Sequence, residues 1–285
     1  MKILTVVVSA GLEPWVSIEE NAQIEIIQSS KTKFGPTLWF RGDPNSARSI
    51  MTRLQNSLRL GVIKARIIVS GSVPQPVLAV RQFQAFFAVL GWLADWPSRF
   101  RSGHEAFEEE GHIVQTNMPS EMGLSSNRIL EMYRYVLDRY EFDFLYRVSS
   151  TVIPVPNTLH DVCMLLPKTR VFGGRKHSYF GKEFLSGAAL LFSRDVLRGI
   201  TQCGELLDRS VYEDVAVSEL VASNDLAEFY EVSYVNVGFA PEPLAGVGTA
   251  GSTVCALRFK TSASITREAT PVVSLMRKYR NLCDQ

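Results

Sequence analysis

The chain has 285 residues, of which 46% are hydrophobic, 10% aromatic and 21% charged, as in ordinary globular proteins. Its 30 lysines and arginines nearly balance 29 acidic residues, and the net charge of +1 excludes the strong basic excess typical of nucleic-acid-binding proteins. No apolar stretch of the sequence reaches the roughly 20 residues that a membrane-spanning helix needs. We therefore expect a cytoplasmic protein with no nucleic-acid partner, and peripheral contact at the inner membrane face is a minor alternative.

The elements predicted from hydrophobic periodicity alternate along the chain. The first apolar run is short and is followed by Glu13 and Pro14, which favours a buried strand over a signal peptide. Strands are predicted at residues 3–8, 37–40, 65–69, 112–116, 143–148, 162–166 and 188–192. Helices are predicted at residues 17–29, 46–60, 80–96, 125–140, 193–200 and 211–222. This alternation predicts an α/β fold, with a mostly parallel central sheet flanked by helices.

Cysteine and histidine spacing gives no support to the common metal and nucleophile motifs. The four cysteines contain no CxxC pair, and the four histidines contain no HExxH spacing. A GxSxG elbow is also missing from the sequence, which argues against a serine hydrolase of that type. The basic stretch at residues 170–177 is interpreted as a solvated loop or as a mobile lid over a substrate.

Ligands in open α/β sheets bind at the carboxyl ends of the strands, and this rule selects two polar turns in the sequence. Ser9-Ala10-Gly11 follows the first strand and is either a ligand-contacting backbone or a simple tight turn. It matches neither the GxGxxG fingerprint nor the GxxxxGK[ST] loop. Ser149-Ser150-Thr151 follows the strand that carries Arg147. Its hydroxyls can bind phosphate or ribose, or they can satisfy their own backbone in a turn.

Two further segments place chemistry-bearing residues beside apolar elements. Ser186 and Gly187 precede a buried strand, where a glycine allows a substrate to lie against the main chain. Glu213 and Asp214 open an apolar helix, where the helix dipole stabilises an acidic residue by about 0.3–1 kcal/mol. A carboxylate at this place can also serve as a general base toward a hydroxyl nucleophile. Each segment therefore has a structural and a functional interpretation.

The order of these segments resembles the inverting β-1,3-glycosyltransferases that include Fringe and related galactosyl- and N-acetylglucosaminyltransferases. Several bacterial polysaccharide glycosyltransferases share this layout. Residues 142–153 fall where the family has a strand written roughly FVLKTDDDVFV, after a strand at 111–117 and a helix at 125–140. Residues 186–196 are similar to the family's SGGGYVLSRDL, and residues 213–218 are similar to its EDVYVG. The resemblance covers about residues 110–222.

The resemblance implies a single glycosyltransferase A-type domain over residues 1–285. Residues 1–110 would form the nucleotide-binding half, residues 111–237 the donor and acceptor half, and residues 238–285 a closing segment. It implies an inverting hexosyltransferase in polysaccharide biosynthesis, which moves a sugar from a nucleotide-sugar, usually a UDP-sugar, to a hydroxyl of a glycan or lipid-linked acceptor. Asp214 would be the general base, and Glu213 would help to orient the site.

The sequence departs from the family at the metal motif. The family's Asp-x-Asp falls on the hydroxyl residues at 149–151, and hydroxyls are poor ligands for Mg²⁺ or Mn²⁺. We therefore expect no bound metal, although binding through other residues stays open. Arginines and lysines would then stabilise the charge of the leaving diphosphate. The basic residues of the C-terminal segment have a second interpretation, a solvated basic tail. The residues expected at the donor are Ser9, Ala10, Gly11, Arg147, Ser149, Ser150, Thr151, Ser186, Gly187, Arg258, Lys260 and Arg267.

Two other functions are alternatives to this one. A catalytically inactive nucleotide-sugar-binding or protein-interaction module on the same fold is favoured by the missing metal motif and disfavoured by the intact Glu213-Asp214. A sugar nucleotidyltransferase would need a glycine-rich basic loop after the first strand. The segment at residues 9–13 contains no basic residue, which argues against that activity.

Overall fold

The computed structural model contains a main sheet of eight strands and a second sheet of three strands within its described residues. The structure describes residues 1–9, 15–29, 36–43, 50–72, 89–90, 107–110, 112–119, 125–179, 182–238, 241–244, 247, 252–259 and 269–280. The strands are β1 (Ile3–Ser9), β2 (Thr37–Asp43), β3 (Phe107–Glu110), β4 (Ile113–Pro119), β5 (Phe144–Ser149), β6 (Val152–Pro154), β7 (Val171–Tyr179), β8 (Lys182–Ser193), β9 (Glu228–Glu231), β10 (Ser233–Asn236) and β11 (Val254–Arg258).

Helices lie between several of these strands. They are α1 (Trp15–Ile18), α2 (Ile24–Ser29), α3 (Ile50–Ser72), α4 (Ser125–Arg139), α5 (Pro156–Leu165), α6 (Arg194–Gln202), α7 (Glu213–Ser223) and α8 (Thr270–Lys278). A π-helical segment, Glu19–Gln23, joins α1 to α2, and we call it the π turn. A 3₁₀ turn, Gly204–Leu206, follows α6.

The main sheet has the order β3-β4-β2-β1-β5-β8-β7-β9. Strand β1 runs parallel to β2 and β5, β2 runs parallel to β4, and β7 runs parallel to β9. The pairs β3–β4, β5–β8 and β7–β8 are antiparallel. The predicted α/β class with a mostly parallel central sheet is therefore confirmed. The register pairs Ser9 with Arg41 and Val8 with Ser149, so the polar ends of β1, β2 and β5 meet at one edge.

Strand β1 is buried on both faces, which explains its continuous apolar sequence. Leu4 and Val6 belong to a cluster that includes residues of α4, α6 and α7. Ile3 and Val7 belong to a cluster with residues of α5, β10 and β11, on the opposite face of the sheet. A third cluster packs the π turn and α2 against β6, β10, β11 and α8. The second sheet, with order β10-β11-β6, thus lies in the layer that covers one face of the main sheet.

The strand predicted at residues 65–69 is wrong, because these residues continue α3 to Ser72. The predicted helix at 46–60 therefore ended too early. Residues Arg59, Val62 and Ile63 are buried at helical spacing, and this buried face outweighs the local preference of β-branched residues for strands. The strand predicted at 162–166 is also wrong, because it lies at the end of α5. That helix starts with a proline, as helices often do, and buries Leu159 and Cys163 one turn apart.

The loop or lid predicted at residues 170–177 is wrong for most of its length, because it forms β7 between β8 and β9. Its two glycines suggested a loop, but here glycine permits close packing of neighbouring strands. Strands β2 and β4 extend to Asp43 and Pro119, beyond the strands predicted at 37–40 and 112–116. Strand β8 begins at Lys182, so the prediction that Ser186 and Gly187 precede a strand is wrong. The helix predicted at 80–96 lies outside the described residues, except that residues 89–90 are helical. None of the helices in the described ranges has the length and apolar character needed to cross a bilayer.

We predict that Gly173→Ala destabilises the protein. A Cβ at residue 173 would lie 2.6 Å from Val232 Cγ2 and 3.1 Å from Leu191 Cβ, inside the packed sheet. Overpacking of this kind costs about 1–3 kcal/mol in the free energy of unfolding, which urea denaturation measures. Gly61→Ala is the control, because a Cβ at this exposed helical position would meet no atom within 4 Å. The control should gain about 1 kcal/mol, and equal effects of the two substitutions would contradict the packing argument.

Candidate functional site

Glu213, at the start of α7, forms a buried ion pair with Arg147 of β5. Arg147 Nη1 lies 2.5 Å from Glu213 Oε1, and Nη2 donates to Oε2 at 3.1 Å. Arg147 also donates to the hydroxyl of Tyr133 at 3.1 Å, and its side chain is 4% exposed. Burial disfavours the charged guanidinium, but Glu213 outweighs this effect and raises the pKa of Arg147 above its usual value. Glu213 therefore fastens the first turn of α7 to the sheet.

Asp214, the next residue, has a different environment. Its Oδ2 accepts the backbone N–H of Gly187 at 2.9 Å, and its Oδ1 accepts that of Val215 at 3.0 Å. No arginine, lysine or histidine among the described residues forms an ion pair with this half-buried carboxylate. Each carboxylate oxygen has two lone pairs, so Asp214 retains acceptor capacity beyond these two bonds. Asp214 is thus oriented by backbone groups while its charge stays unpaired within the described structure.

Gly187 joins the two acidic residues. Its N–H donates to Asp214, and its carbonyl oxygen accepts Arg147 Nη2 at 3.2 Å. A Cβ at this position would lie 3.0 Å from Arg147 Nη2 and 3.1 Å from Asp214 Cβ. The N–H of Gly187 is therefore bound by Asp214 and its carbonyl oxygen by Arg147. A larger residue at this position would force the two charged side chains apart.

The hydroxyl of Tyr234 links Ser186 of β8 to Arg258. Ser186 Oγ lies 3.0 Å from this hydroxyl, and Arg258 Nη1 donates to it at 3.2 Å. His177 Nε2 lies 3.3 Å away. Burial lowers the pKa of His177, and the nearby arginine charges lower it further. Arg258, which the sequence analysis predicted at the donor, is therefore separated from Ser186 only by the side chain of Tyr234.

Two guanidinium groups lie near the ring of Tyr234, and they differ in whether a carboxylate neutralises them. Arg175 and Arg258 lie with Cζ 5.2 and 5.5 Å from the ring centroid. Arg175 forms two hydrogen bonds of 2.7 Å with Glu242, and these hold the pKa of Glu242 down at about 2. Arg258 has no carboxylate partner among the described residues. A net positive charge therefore lies beside Ser186.

The hydroxyl turn, formed by Ser149, Ser150 and Thr151, connects β5 to β6. Ser149 Oγ lies 3.3 Å from Thr151 Oγ1, and the backbone oxygen of Thr151 accepts the N–H of Phe259 at 2.8 Å. In the register of β11 with β6, Arg258 pairs with Val152. The structure therefore brings the hydroxyl turn and Arg258 together at the end of β5.

The sequence interpretation missed three polar residues at the same edge: Glu19, Gln23 and Arg41. Glu19 is fully buried, and its Oε2 accepts Arg41 Nε at 2.9 Å. Burial raises the pKa of Glu19 despite its hydrogen bond with Ser9 and the charge of Arg41. Gln23 Nε2 donates to the backbone oxygens of Ser149 at 3.2 Å and Val152 at 2.7 Å. Single π turns occur frequently at functional sites, but no local sequence signal marks this one.

The remaining predicted donor residues are placed as follows. Ser9 is buried at the end of β1, and the guanidinium of Arg147 is occupied by Glu213, Tyr133 and Gly187, so contact of Arg147 with a diphosphate stays a prediction. Within the described ranges, no group of three or more His, Cys, Asp or Glu side chains is arranged to hold a metal ion. The predicted donor residues that lie outside the described residues are Ala10, Gly11, Lys260 and Arg267.

Sequence comparison gives no family for this chain. No protein-family model matches it, and no curated protein shows significant similarity to it. The chemistry of the site is therefore argued from the geometry of its residues.

We predict that the two adjacent acids differ in their effect on stability. Glu213→Gln leaves the buried Arg147 charge uncompensated and should lower the free energy of unfolding by about 3 kcal/mol. Asp214→Asn removes a carboxylate with no cationic partner in the described structure, so the loss should stay below about 1 kcal/mol. Urea denaturation of both variants measures the difference. Equal losses in the two variants would contradict the assigned roles.

Proposed function

We propose that the chain is an inverting glycosyltransferase, which transfers a sugar from a nucleotide-sugar, such as a UDP-sugar, to a hydroxyl of a glycan or glycolipid. The observation that carries this proposal is the environment of Asp214, a backbone-oriented carboxylate without a cationic partner in the described structure. It lies beside Ser186 and Gly187 of β8, close to Arg258, which has no carboxylate partner among the described residues. The mostly parallel α/β sheet is compatible with a glycosyltransferase A-type fold.

Asp214 acts as the general base in this proposal. The acceptor hydroxyl attacks the anomeric carbon of the donor while its proton passes to the Asp214 carboxylate. The bond between that carbon and the diphosphate oxygen breaks, and its electron pair leaves with the diphosphate. One direct displacement inverts the configuration at the anomeric carbon. The hydrogen bond from Gly187 holds the carboxylate in one orientation throughout the transfer.

In this proposal, Arg258 and the hydroxyl turn stabilise the negative charge that develops on the diphosphate. Arg258 lacks a carboxylate partner within the described residues, and guanidinium groups bind phosphate oxygens through paired N–H donors. The hydroxyls of Ser149 and Thr151 provide donors at the end of the adjacent strand. Lys260 and Arg267 are proposed to add positive charge. This arrangement would stabilise the leaving group without a divalent metal.

A second candidate is a nucleotide-sugar-binding or interaction module that has lost catalysis. The observation that favours it is the hydroxyl turn, which replaces the carboxylates expected from the resemblance. Its binding surface would be the same edge of the sheet, but Asp214 would have no chemical task. Replacement of Asp214 therefore separates the two candidates.

Asp214→Asn should lower turnover by about 10²- to 10⁴-fold, the usual contribution of a general base, and leave the donor Kd unchanged. Sugar transfer and donor hydrolysis are measured across a panel of UDP-, GDP-, CMP- and dTDP-sugars, and binding is measured by calorimetry. Asp161→Asn, at a carboxylate that is 76% exposed on α5, is the matched control and should behave as wild type. Unchanged turnover in the Asp214 variant would contradict the proposed base.

Activity should persist in the presence of a chelator, and Arg258→Gln should lower it at least tenfold, because the leaving diphosphate loses its cation. Arg198→Gln provides the control, since Arg198 is an exposed arginine on α6. The measurement is turnover of each variant with Mn²⁺ and with chelator. Loss of wild-type activity on chelation, with full activity in the Arg258 variant, would overturn the cationic account.

A further inference from the structure

We propose that Glu19, Gln23 and Arg41 form the binding site for the nucleoside of the donor. We call these three residues the buried polar cluster, and the inference rests on the proposed function. The cluster lies at the carboxyl ends of β1 and β2, where open α/β sheets bind ligands. It is separate from the residues assigned above to the diphosphate and to the transferred sugar.

Three buried polar atoms of this cluster lack hydrogen-bond partners among the described residues: Glu19 Oε1, Gln23 Oε1 and Arg41 Nη2. The residues themselves are at least nine-tenths buried, with exposed fractions of 0%, 0% and 9%. Buried polar groups in folded proteins nearly always have partners, so three orphans in one cluster indicate a missing polar ligand. Their other atoms are already fixed by Arg41–Glu19 and Gln23–Ser149 hydrogen bonds.

The open positions define the ligand chemistry. Gln23 Oε1 is a hydrogen-bond acceptor, and so is Glu19 Oε1 when that carboxylate is ionised. The ligand must therefore offer N–H or O–H donors to these oxygens and an acceptor to Arg41 Nη2. A phosphate presents mainly acceptors and would be repelled by Glu19. A metal ion would be repelled by the guanidinium of Arg41. A nucleoside offers ribose hydroxyls and the N–H and C=O groups of a base, and it satisfies both requirements.

The charge around the cluster supports a neutral ligand. Arg41 contacts Glu20 at 3.3 Å in addition to Glu19, so its positive charge is already opposed by two carboxylates. The Glu20 side chain is 54% exposed, and the contacts therefore run from the buried interior to the surface. In contrast, Arg258 has no such compensation in the described structure. The neutral and the anionic parts of a nucleotide would thus meet different ends of the site.

The distances along the sheet suit this assignment. Strands β2, β1, β5 and β8 are consecutive neighbours, so their ends span three strand spacings, or about 14 Å. The buried polar cluster lies at β2 and β1, the hydroxyl turn at β5, and Gly187 on β8. Gln23 joins the first two regions through its bonds to Ser149 and Val152. An extended nucleoside diphosphate-sugar can therefore lie along one continuous edge.

Calorimetric titration of the full chain with UDP, GDP and dTDP, and separately with inorganic diphosphate, tests this site. Glu19→Gln should raise the Kd of the preferred nucleotide at least tenfold, about 1.4 kcal/mol, and leave the Kd of inorganic diphosphate unchanged. The double variant Glu19→Gln/Arg41→Gln should do the same without leaving an uncompensated buried charge. Glu25→Gln is the matched control, since Glu25 is an exposed carboxylate on α2.

The outcomes separate this inference from the proposed function. If both cluster variants fold, as thermal unfolding shows, but bind the nucleotide as wild type does, the nucleoside site is overturned. An equal loss of nucleotide and diphosphate binding also overturns it, because the defect would then be general. If wild type binds a nucleotide that the cluster variants lose, but transfers no sugar from any donor, the nucleoside site stands and the proposed transferase activity fails.

Discussion

The buried ion pair between Arg147 and Glu213 is the interaction on which the geometry of the candidate site depends. Burial of the two charges is unfavourable, but the paired hydrogen bonds and the contact with Tyr133 offset that penalty. The same guanidinium holds the carbonyl of Gly187, whose N–H holds Asp214. The orientation of Asp214 therefore depends on the buried charge of Arg147, and Asp214 itself has no cationic partner in the described structure.

This division of roles could not be predicted from the sequence. Glu213 and Asp214 are adjacent acidic residues in the same helical turn, so the local sequence predicts the same role for both. Their difference comes from Arg147, 66 residues away, and from Gly187, 27 residues before Asp214. The sequence did predict the strand that carries Arg147, because an apolar run is a local signal. The prediction that Ser186 and Gly187 precede a strand is wrong, because both residues lie within β8. Arg258 was expected at the site, but its route there, through β11 pairing with β6 and contact with Tyr234, is also long-range.

The errors at the level of the fold have the same origin. Residues 65–69 have the composition of a strand, yet they continue α3, whose buried residues Arg59, Val62 and Ile63 lie in the turns just before them. The glycines of β7 suggest a loop until the neighbouring strands and Val232 are placed beside them. Glu19 and Gln23 would be assigned to a solvated helix face by composition, but the π turn directs them to Arg41 and Ser149. Helix α4 and strand β5 were predicted correctly because the local pattern of each agrees with its burial.

The charges along the edge of the sheet are ordered in a way that suits the proposed donor. Arg41 is compensated by two carboxylates, Arg258 by none among the described residues, and Asp214 is a carboxylate without a cation in that same part of the chain. A diphosphate beside an ionised Asp214 would be repelled unless a cation lies near both, since unit charges a few ångströms apart interact by several kcal/mol at a protein surface. Arg258, which only the side chain of Tyr234 separates from Ser186, meets this requirement. In this arrangement the arginine that orients the base is neutralised by Glu213, so the charge of Arg258 stays available for the leaving group.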